Sequence, residues 1–207
     1  MPFRRSIFVS ASEDRLQKII EARLAPGADK GLIDRRLWDL FGEEWCIMAT
    51  DLVGFSRGVA EFGITHFLQT IYEAERLLVP AVERHDGIML KMEGDSFLVI
   101  FRNVEKAIRS AVEMQRTLRD YNSCRPETEH VLLGVGLGFG RVLRIGDADV
   151  FGIEVNAAYI LGEDTASAYE ILLTKSVREA APPGDLEFIE IEAVPPGTGK
   201  AYRLVWS

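Results

Sequence analysis

The order of short apolar runs and longer amphipathic segments constrains the fold of this chain more than any other feature. Runs typical of buried strands occupy residues 46–50, 87–91, 97–101 and 131–139. Apolar residues at helical spacing predict one helix over about 59–84, after the first strand, and another over about 104–118, after the third. The order β-α-β-β-α-β predicts an α+β fold with a ferredoxin-like core. Because such a core supports many unrelated functions, function must be argued from individual residues.

Glycine and proline positions add detail to this pattern. Pro80 falls inside the first long helix and predicts a kink or a break there, because proline cannot donate the helical hydrogen bond. Gly134, Gly136 and Gly138 share one face of the run 131–139, which would let another backbone or a ligand approach closely. Residues 142–145 are predicted to be the return strand of a hairpin that begins in this run.

The N-terminal part has a purely helical pattern. Residues 1–43 are predicted to form a helical extension, and residues 44–207 the principal domain. Ser10 and Glu13 fit a capping box, and the apolar residues after them recur at helical spacing. A second short helix would end at Gly42. The apolar face of these helices must pack either on its own domain or on a partner subunit, and the sequence leaves both open.

Composition excludes several classes of protein. With 47% hydrophobic and 27% charged residues, the chain is predicted to be a soluble globular protein. Its net charge is −8 and no Lys/Arg-rich run occurs, so a nucleic-acid partner is not expected. No apolar stretch is long enough for a bilayer span or a signal peptide. Cys46 and Cys124 lack metal-ligand spacing, and a cytoplasmic location is expected.

Two aspartates mark places where predicted strands meet glycine-containing turns. Asp51 follows the first strand, and Asp95 lies at the turn of the hairpin formed by the second and third strands. Either aspartate alone is usually a turn former or a helix cap. Together they can hold hard divalent cations, since magnesium prefers oxygen ligands and takes few of them from protein. Two cations about 3.5–4 Å apart suit in-line displacement at phosphorus.

Four segments carry a family resemblance. They are 51–56 (DLVGFS), 91–95 (KMEGD), 140–146 (GRVLRIG) and 149–156 (DVFGIEVN). In this order and spacing, residues 45–205 resemble the class III nucleotidyl cyclase domain, the catalytic domain of adenylate and guanylate cyclases. The resemblance implies conversion of ATP to 3′,5′-cyclic AMP and pyrophosphate, with two Mg²⁺ or Mn²⁺ ions per site.

The resemblance also implies which residues hold the metals and phosphates. Asp51 and Asp95 match the two metal-binding aspartates, with Leu52 as a further metal ligand through its backbone. The loop that cradles the β- and γ-phosphates is matched by the backbone of Leu52, Val53, Gly54, Phe55 and Ser56. Free amide groups at a helix start favour such anions. On its own this segment would be interpreted as a strand-to-helix turn with Ser56 as N-cap.

Lys91 and Asp149 match the pair that reads the base in adenylate cyclases. An ammonium donor and a carboxylate acceptor suit adenine, which offers a ring-nitrogen acceptor and an exocyclic amino donor. The guanylate cyclases carry Glu and Cys or similar residues at these places, and this chain does not. The alternative interpretation is that Lys91 is solvated and Asp149 caps the next helix.

Two further residues match the family's catalytic groups. Arg141 matches a phosphate-binding arginine, since a planar guanidinium suits phosphate oxygens, and Asn156 matches the asparagine that orients the substrate. Without the resemblance, both would be interpreted as surface residues. The family builds its sites at a homodimer interface, so the metals and Arg141 are expected from one subunit. Lys91, Asp149 and Asn156 are expected from the other.

The chain departs from the family at two places. The transition-state arginine of the family, four residues after the asparagine, is Ile160 here. A second phosphate-binding lysine is also missing, because Lys200 lies too late in the sequence. Loss of one such contact commonly costs about 100- to 1000-fold in rate. The predicted function is therefore an adenylate cyclase of low activity; the alternatives are a nucleotide-binding signalling dimer without useful turnover and, least favoured, a pure scaffold.

Overall fold

The computed structural model describes residues 10–54, 63–184 and 186–206. Within these ranges the helices are α1 (Ala11–Leu24), α2 (Lys30–Phe41), α3 (Ile64–Arg84), α4 (Val104–Asn122), α5 (Ile153–Tyr159) and α6 (Lys175–Ala180). A 3₁₀ turn covers Glu127–Glu129, and a π-helix over Ile160–Thr165 directly continues α5. The strands are β1 (Gly42–Leu52), β2 (Ile88–Glu93), β3 (Ser96–Phe101), β4 (Leu133–Ile145), β5 (Asp149–Phe151), β6 (Ile171–Thr174), β7 (Glu187–Ile191) and β8 (Ala201–Val205).

All eight described strands belong to one sheet. Its order is β2-β3-β1-β4-β6-β8-β7, and β5 pairs with β4 outside this path. From β1 to β4 the elements follow the predicted order β-α-β-β-α-β, which confirms the α+β core. The parallel pair β4–β6 joins this core to the C-terminal hairpin of β7 and β8.

Strand β1 lies inside the sheet, between β3 and β4, and contributes to the core on both faces. Cys46 and Met48 face one side of the sheet and join the cluster that also contains the apolar residues of α3 and α4. Trp45, Ile47 and Ala49 face the other side and pack with Val155 and Ala158 of α5. The strand can be apolar along its middle because both of its faces are covered.

Of the kink or break predicted at Pro80, the break is wrong, because helix α3 continues through this residue. Proline removes the bond that its own N–H would donate one turn back, and its ring crowds the carbonyl there. The flanking residues Leu78, Ala81 and Val82 are buried in the core, and this packing holds the helix together. The first residues of the predicted helix lie at 59–62, outside the described residues.

Strand β4 also differs from its prediction. It runs without interruption from Leu133 to Ile145, so residues 142–145 continue the strand, and the return strand is β5. The prediction for residues 142–145 failed because glycine, here Gly140, commonly marks a turn. In this structure the strand passes through it.

The glycine face of β4 was predicted to allow the close approach of another backbone or of a ligand. In the structure it packs closely on another backbone. A Cβ at Gly136 would overlap the carbonyl oxygen of Ala158, and one at Gly138 would overlap that of Glu154. A Cβ at Gly134 would lie 2.8 Å from the carbonyl oxygen of Gly162. Only glycine lets α5 and the π-helix lie this close to the sheet.

The two N-terminal helices, α1 and α2, pack against the sheet at the C-terminal end of β4. The predicted capping box of Ser10 and Glu13 is present at the start of α1. Ile19 and Phe41 form a small core with Ile145, at the end of β4. The helices therefore pack on their own chain, although the division into an extension and a principal domain stays a prediction. Among the described residues, no helix is long and apolar enough to cross a membrane.

Candidate active site

The structure brings the two predicted metal-binding aspartates together at one end of the sheet. Thr50, the residue before Asp51, pairs with Phe97 of β3, and its hydroxyl accepts a hydrogen bond from the Phe97 N–H at 3.3 Å. Asp95 lies in the tight turn between β2 and β3, where Gly94 has φ 61°. The Ser96 hydroxyl donates to the Asp51 carboxylate at 3.4 Å, which ties the hairpin turn to the end of β1.

The carboxyl group of Asp51 lies in an electrostatically unfavourable place. Burial and the neighbouring negative charge of Asp95 raise its pKa to about 7, and Glu163 adds to the effect, while the hydrogen bond from Ser96 opposes it. A divalent cation between the two carboxylates would remove this repulsion, so the donor set fits a hard cation. Among the described residues, no larger group of His, Cys, Asp and Glu side chains has a metal-binding arrangement. A carboxylate pair agrees with the small number of protein ligands that magnesium uses.

Only the first part of the loop after β1, which is predicted to bind phosphate, lies within the described residues. Leu52 ends β1, and Gly54 has φ 86°, the left-handed region that favours glycine. The Val53 N–H already donates to the Leu132 carbonyl at 2.9 Å, so this amide is not free for a phosphate in this structure. Phe55 and Ser56 lie outside the described residues.

Lys91 and Asp149 form a direct ion pair. The Lys91 ammonium nitrogen lies 2.6 Å from an Asp149 carboxylate oxygen, although the residues are 58 positions apart. Both side chains are about two-thirds buried, with 32% and 27% of their surfaces exposed. The helix that follows Asp149 is capped by Gly152 instead, which rules out the alternative of a solvated lysine and a capping aspartate.

A pocket of about 450 Å³ adjoins this ion pair. It is lined by Lys91, Glu93, Ser96, Phe97, Leu98, Tyr159 and Glu163. Tyr159 and Glu163 were not among the predicted site residues. Both follow Asn156 at helical spacing, three and seven positions later, and this spacing was the signal that would have placed them on one face. The pocket connects the Lys91–Asp149 ion pair to the hairpin that carries Asp95.

Asn156 is exposed on α5, and the helix itself is firmly held. The carboxylate of Glu154 accepts hydrogen bonds from the Phe139 N–H at 3.1 Å, the Thr174 hydroxyl at 2.7 Å and the Ser176 hydroxyl at 2.9 Å. Three elements are thus fastened to the first turn of α5. Sequence analysis missed Glu154, whose partners are 15 to 22 residues away.

Arg141 is not brought to the carboxylates of its own chain. It pairs with Glu44, whereas Asp51 pairs with Gly134, seven residues along the strand. At 3.3 Å per residue the separation is about 23 Å, more than an arginine side chain can span. The Arg141 guanidinium instead lies over the ring of Trp38 in α2, 4.9 Å from its centre. The prediction that the metal site and Arg141 come from one subunit stays a prediction, in which a bound phosphate chain would have to extend between them.

The structure also shows where Ile160 and Lys200 lie, the two residues at which the sequence departs from the cyclase pattern. Ile160 lies half-buried at the junction of α5 and the π-helix, and its carbonyl accepts a hydrogen bond from the Thr165 hydroxyl at 2.8 Å. Lys200 forms an ion pair with Glu190 at 2.7 Å on the C-terminal hairpin. Neither residue contributes a cation to the pocket described above.

The chain is similar in sequence to parts of two known proteins. No protein-family model matches the chain. It is 30% identical over 134 residues to the serine/threonine-protein kinase pkn2 of Myxococcus xanthus, in an alignment that covers 65% of this chain and 16% of the kinase. It is 31% identical over 112 residues to "Putative adenylate cyclase 3" of Rhizobium meliloti, with 54% and 19% covered. The chain spans less than a fifth of either relative.

Solved structures match far more of the chain. The adenylate/guanylate cyclase/hydrolase of Silicibacter pomeroyi superposes with a TM-score of 0.70 at 23% identity, covering 80% of this chain and 98% of that one. A dimeric guanylyl cyclase domain from Blastocladiella emersonii gives 0.67 at 17% identity, covering 79% and 97%. The guanylate cyclase domain from Catenaria anguillulae in complex with GTP gives 0.65 at 16% identity, covering 79% and 96%. The resemblance predicted from the four motifs is confirmed: the chain has the fold of the class III adenylate and guanylate cyclase catalytic domain.

Proposed function

We propose that this chain is an adenylate cyclase that converts ATP to 3′,5′-cyclic AMP and pyrophosphate. The observation that carries the proposal is the ion pair of Lys91 and Asp149 beside a pocket on a cyclase fold. Lys91 can donate to a ring nitrogen of adenine, and Asp149 can accept from the exocyclic amino group. Guanine presents a carbonyl acceptor where adenine presents the amino donor, so Asp149 disfavours it.

The carboxylates of Asp51 and Asp95 supply the metal end of the proposed site. They would hold two Mg²⁺ or Mn²⁺ ions, with the Leu52 carbonyl as a further ligand. Bound cations lower the pKa of the ribose 3′-hydroxyl and neutralise the triphosphate. The 3′-oxygen would attack the α-phosphorus as its proton passes to solvent water, and the bond from that phosphorus to the bridging oxygen would break so that pyrophosphate leaves. The raised pKa of Asp51 supports this role, because a bound cation would offset both the burial and the repulsion from Asp95 that raise it.

Two copies of the chain are proposed to complete one another's sites. Asn156 is exposed on α5, where its side chain is open to a partner subunit, and it would join Lys91 and Asp149 opposite the metals and Arg141 of the other copy. One solved neighbour is a dimeric cyclase domain. An arrangement within one chain is the competing possibility for the base, since Ser96 lines the pocket of Lys91 and also binds Asp51. A nucleotide substrate agrees with the predicted cytoplasmic location.

Incubation of the purified protein with each nucleoside triphosphate and Mn²⁺ tests the proposal, with products separated by chromatography. We expect cyclic AMP from ATP, and less product from GTP, CTP and UTP. The double variant Lys91→Glu, Asp149→Cys should lose the preference for ATP, because the donor and acceptor that match adenine are gone. A wild-type protein that prefers GTP or a pyrimidine nucleotide would contradict the assignment of these two residues.

Ile160 favours a second candidate function, a dimer that binds ATP without useful turnover. Aliphatic carbon cannot stabilise the charge that develops at phosphorus in the transition state. If only this charge is missing, Ile160→Arg should raise kcat more than it lowers KM, because the new contact forms mainly in the transition state. Ile160→Lys and Ile160→Met serve as charged and uncharged controls. A folded arginine variant that binds ATP and gains no turnover would favour the binding function.

A further inference from the structure

Tyr159 is the one aromatic side chain with a ring hydroxyl in the wall of the pocket beside Lys91, among the residues that the structure describes. It is the last residue of α5 and lies half-buried. Its inner side packs on the core cluster that contains Leu98 and Ala158. The ring is thus fixed against the core while it also borders open pocket volume. A fixed ring beside an ammonium–carboxylate pair is the kind of surface that binds a flat, hydrogen-bonding ring.

The charges around Tyr159 indicate which end of a nucleotide the pocket accepts. Glu93 and Glu163 line it together with Lys91, and the Lys91 charge is balanced by Asp149. Burial together with Glu163, Asp149 and Glu93 raises the pKa of the tyrosine to about 12, so the hydroxyl stays protonated. A triphosphate would be repelled by these carboxylates, whereas a neutral base would not. The volume of about 450 Å³ lies within the range of small-molecule pockets.

We infer that Tyr159 is a substrate-contacting residue whose ring stacks on the nucleobase held by Lys91 and Asp149. This inference deepens the proposed function and rests on it. Lys91 and Asp149 bind the edge of the base and decide which base is accepted. Tyr159 covers a face of the base, which every nucleobase presents, and therefore adds affinity more than selectivity.

Binding measured without turnover tests this inference independently of catalysis. The probes are α,β-methylene-ATP, which cannot be cyclised, and tripolyphosphate, which lacks the base, each titrated calorimetrically with Mn²⁺ present. Tyr159→Leu should weaken binding of the ATP analogue by about tenfold or more, the usual scale for one lost stacking contact. Tyr159→Phe should bind like the wild type, because the ring remains. Tripolyphosphate should bind equally to all three proteins.

Tyr72→Leu is the matched control, since Tyr72 is an exposed tyrosine on α3 that the site does not use. A second measurement covers the case in which Tyr159→Leu folds poorly. In Tyr159→Trp the introduced indole should be quenched by the ATP analogue and not by tripolyphosphate. Unchanged affinity in a folded Tyr159→Leu protein, or equal loss of both probes, would overturn the inference and leave the cyclase proposal standing. A wild-type protein that binds no nucleotide would overturn both.

Discussion

The carboxyl group of Asp51 links the local electrostatics of this protein to its proposed chemistry. Its ordinary pKa is near 3.8, and burial beside Asp95 raises it to about 7 in the folded state. The folded state therefore binds a proton more tightly than the unfolded state does. The favourable contribution of this proton is fully present below about pH 4 and is lost as the pH rises toward 7.

The first prediction follows from the loss of this stabilising contribution as the pH rises. Asp51→Asn should raise the Tm of the metal-free protein, and the gain over wild type should be larger at pH 8 than at pH 5, because only the wild type must ionise there. Mn²⁺ should raise the Tm of the wild type at pH 8 and have little effect on the variant. Thermal unfolding at both pH values measures these differences. Asp39→Asn, an exposed change on α2, is the control, and a gain independent of pH would contradict the predicted repulsion.

At the scale of elements, β4 lies very close to the segment formed by α5 and the π-helix. This close approach rests on Gly136, where a Cβ would overlap the backbone of Ala158 and also that of Gly162. Backbone atoms on both sides cannot give way as a flexible side chain can. This approach positions Asn156, Tyr159 and Ile160 together, so the glycine bears on the site as well as on stability.

The second prediction concerns this contact. Gly136→Ala should lower the free energy of unfolding by about 1–3 kcal/mol or more, the usual cost of overpacking a core. Gly184→Ala is the matched control, because a Cβ there meets no atom within 4 Å. Urea denaturation of both variants gives the comparison. Equal stability of the Gly136→Ala and Gly184→Ala proteins would mean that the helix and strand separate without cost.

Some features of these strands and of the candidate site could be predicted from the sequence, and others could not. Asp51 and Asp95 were predictable, because each lies where a strand with a clear local pattern meets a glycine-containing turn. The ion pair of Lys91 and Asp149 joins residues 58 positions apart, and only the family resemblance indicated it. Residues 142–145 were placed in the wrong strand because Gly140 has the local signal of a turn, and the pairing of β4 with the full length of β1 overrides that signal.

At the scale of the whole molecule, the described chain distributes the proposed chemistry over two regions. The carboxylates lie at one end of β1, and Arg141 lies near the other end, beside the N-terminal helices. The proposed symmetric dimer would repeat both regions about its two-fold axis and so create two equivalent sites, each shared between the two copies.

The third prediction tests this arrangement by mixing two inactive variants. Asp51→Ala removes a proposed metal ligand, and Lys91→Ala removes a proposed base contact, so each homodimer should be inactive. If one subunit supplies the metals and its partner the base, a heterodimer has one site with both changes and one intact site. Random mixing should restore about a quarter of the wild-type activity, since half of the dimers are heterodimers with one of two sites intact.

The control for this experiment is a mixture in which both changes affect the same half of the site. Asp51→Ala mixed with Asp95→Ala should stay inactive, because each metal pair then lacks one carboxylate whichever copy it belongs to. Size-exclusion chromatography with light scattering confirms that the dimers form and exchange. Recovery in neither mixture, with heterodimers present, would place Lys91 and the carboxylates in a site within one chain. Ser96 would then be the residue that joins them, since it lines the pocket of Lys91 and donates to Asp51.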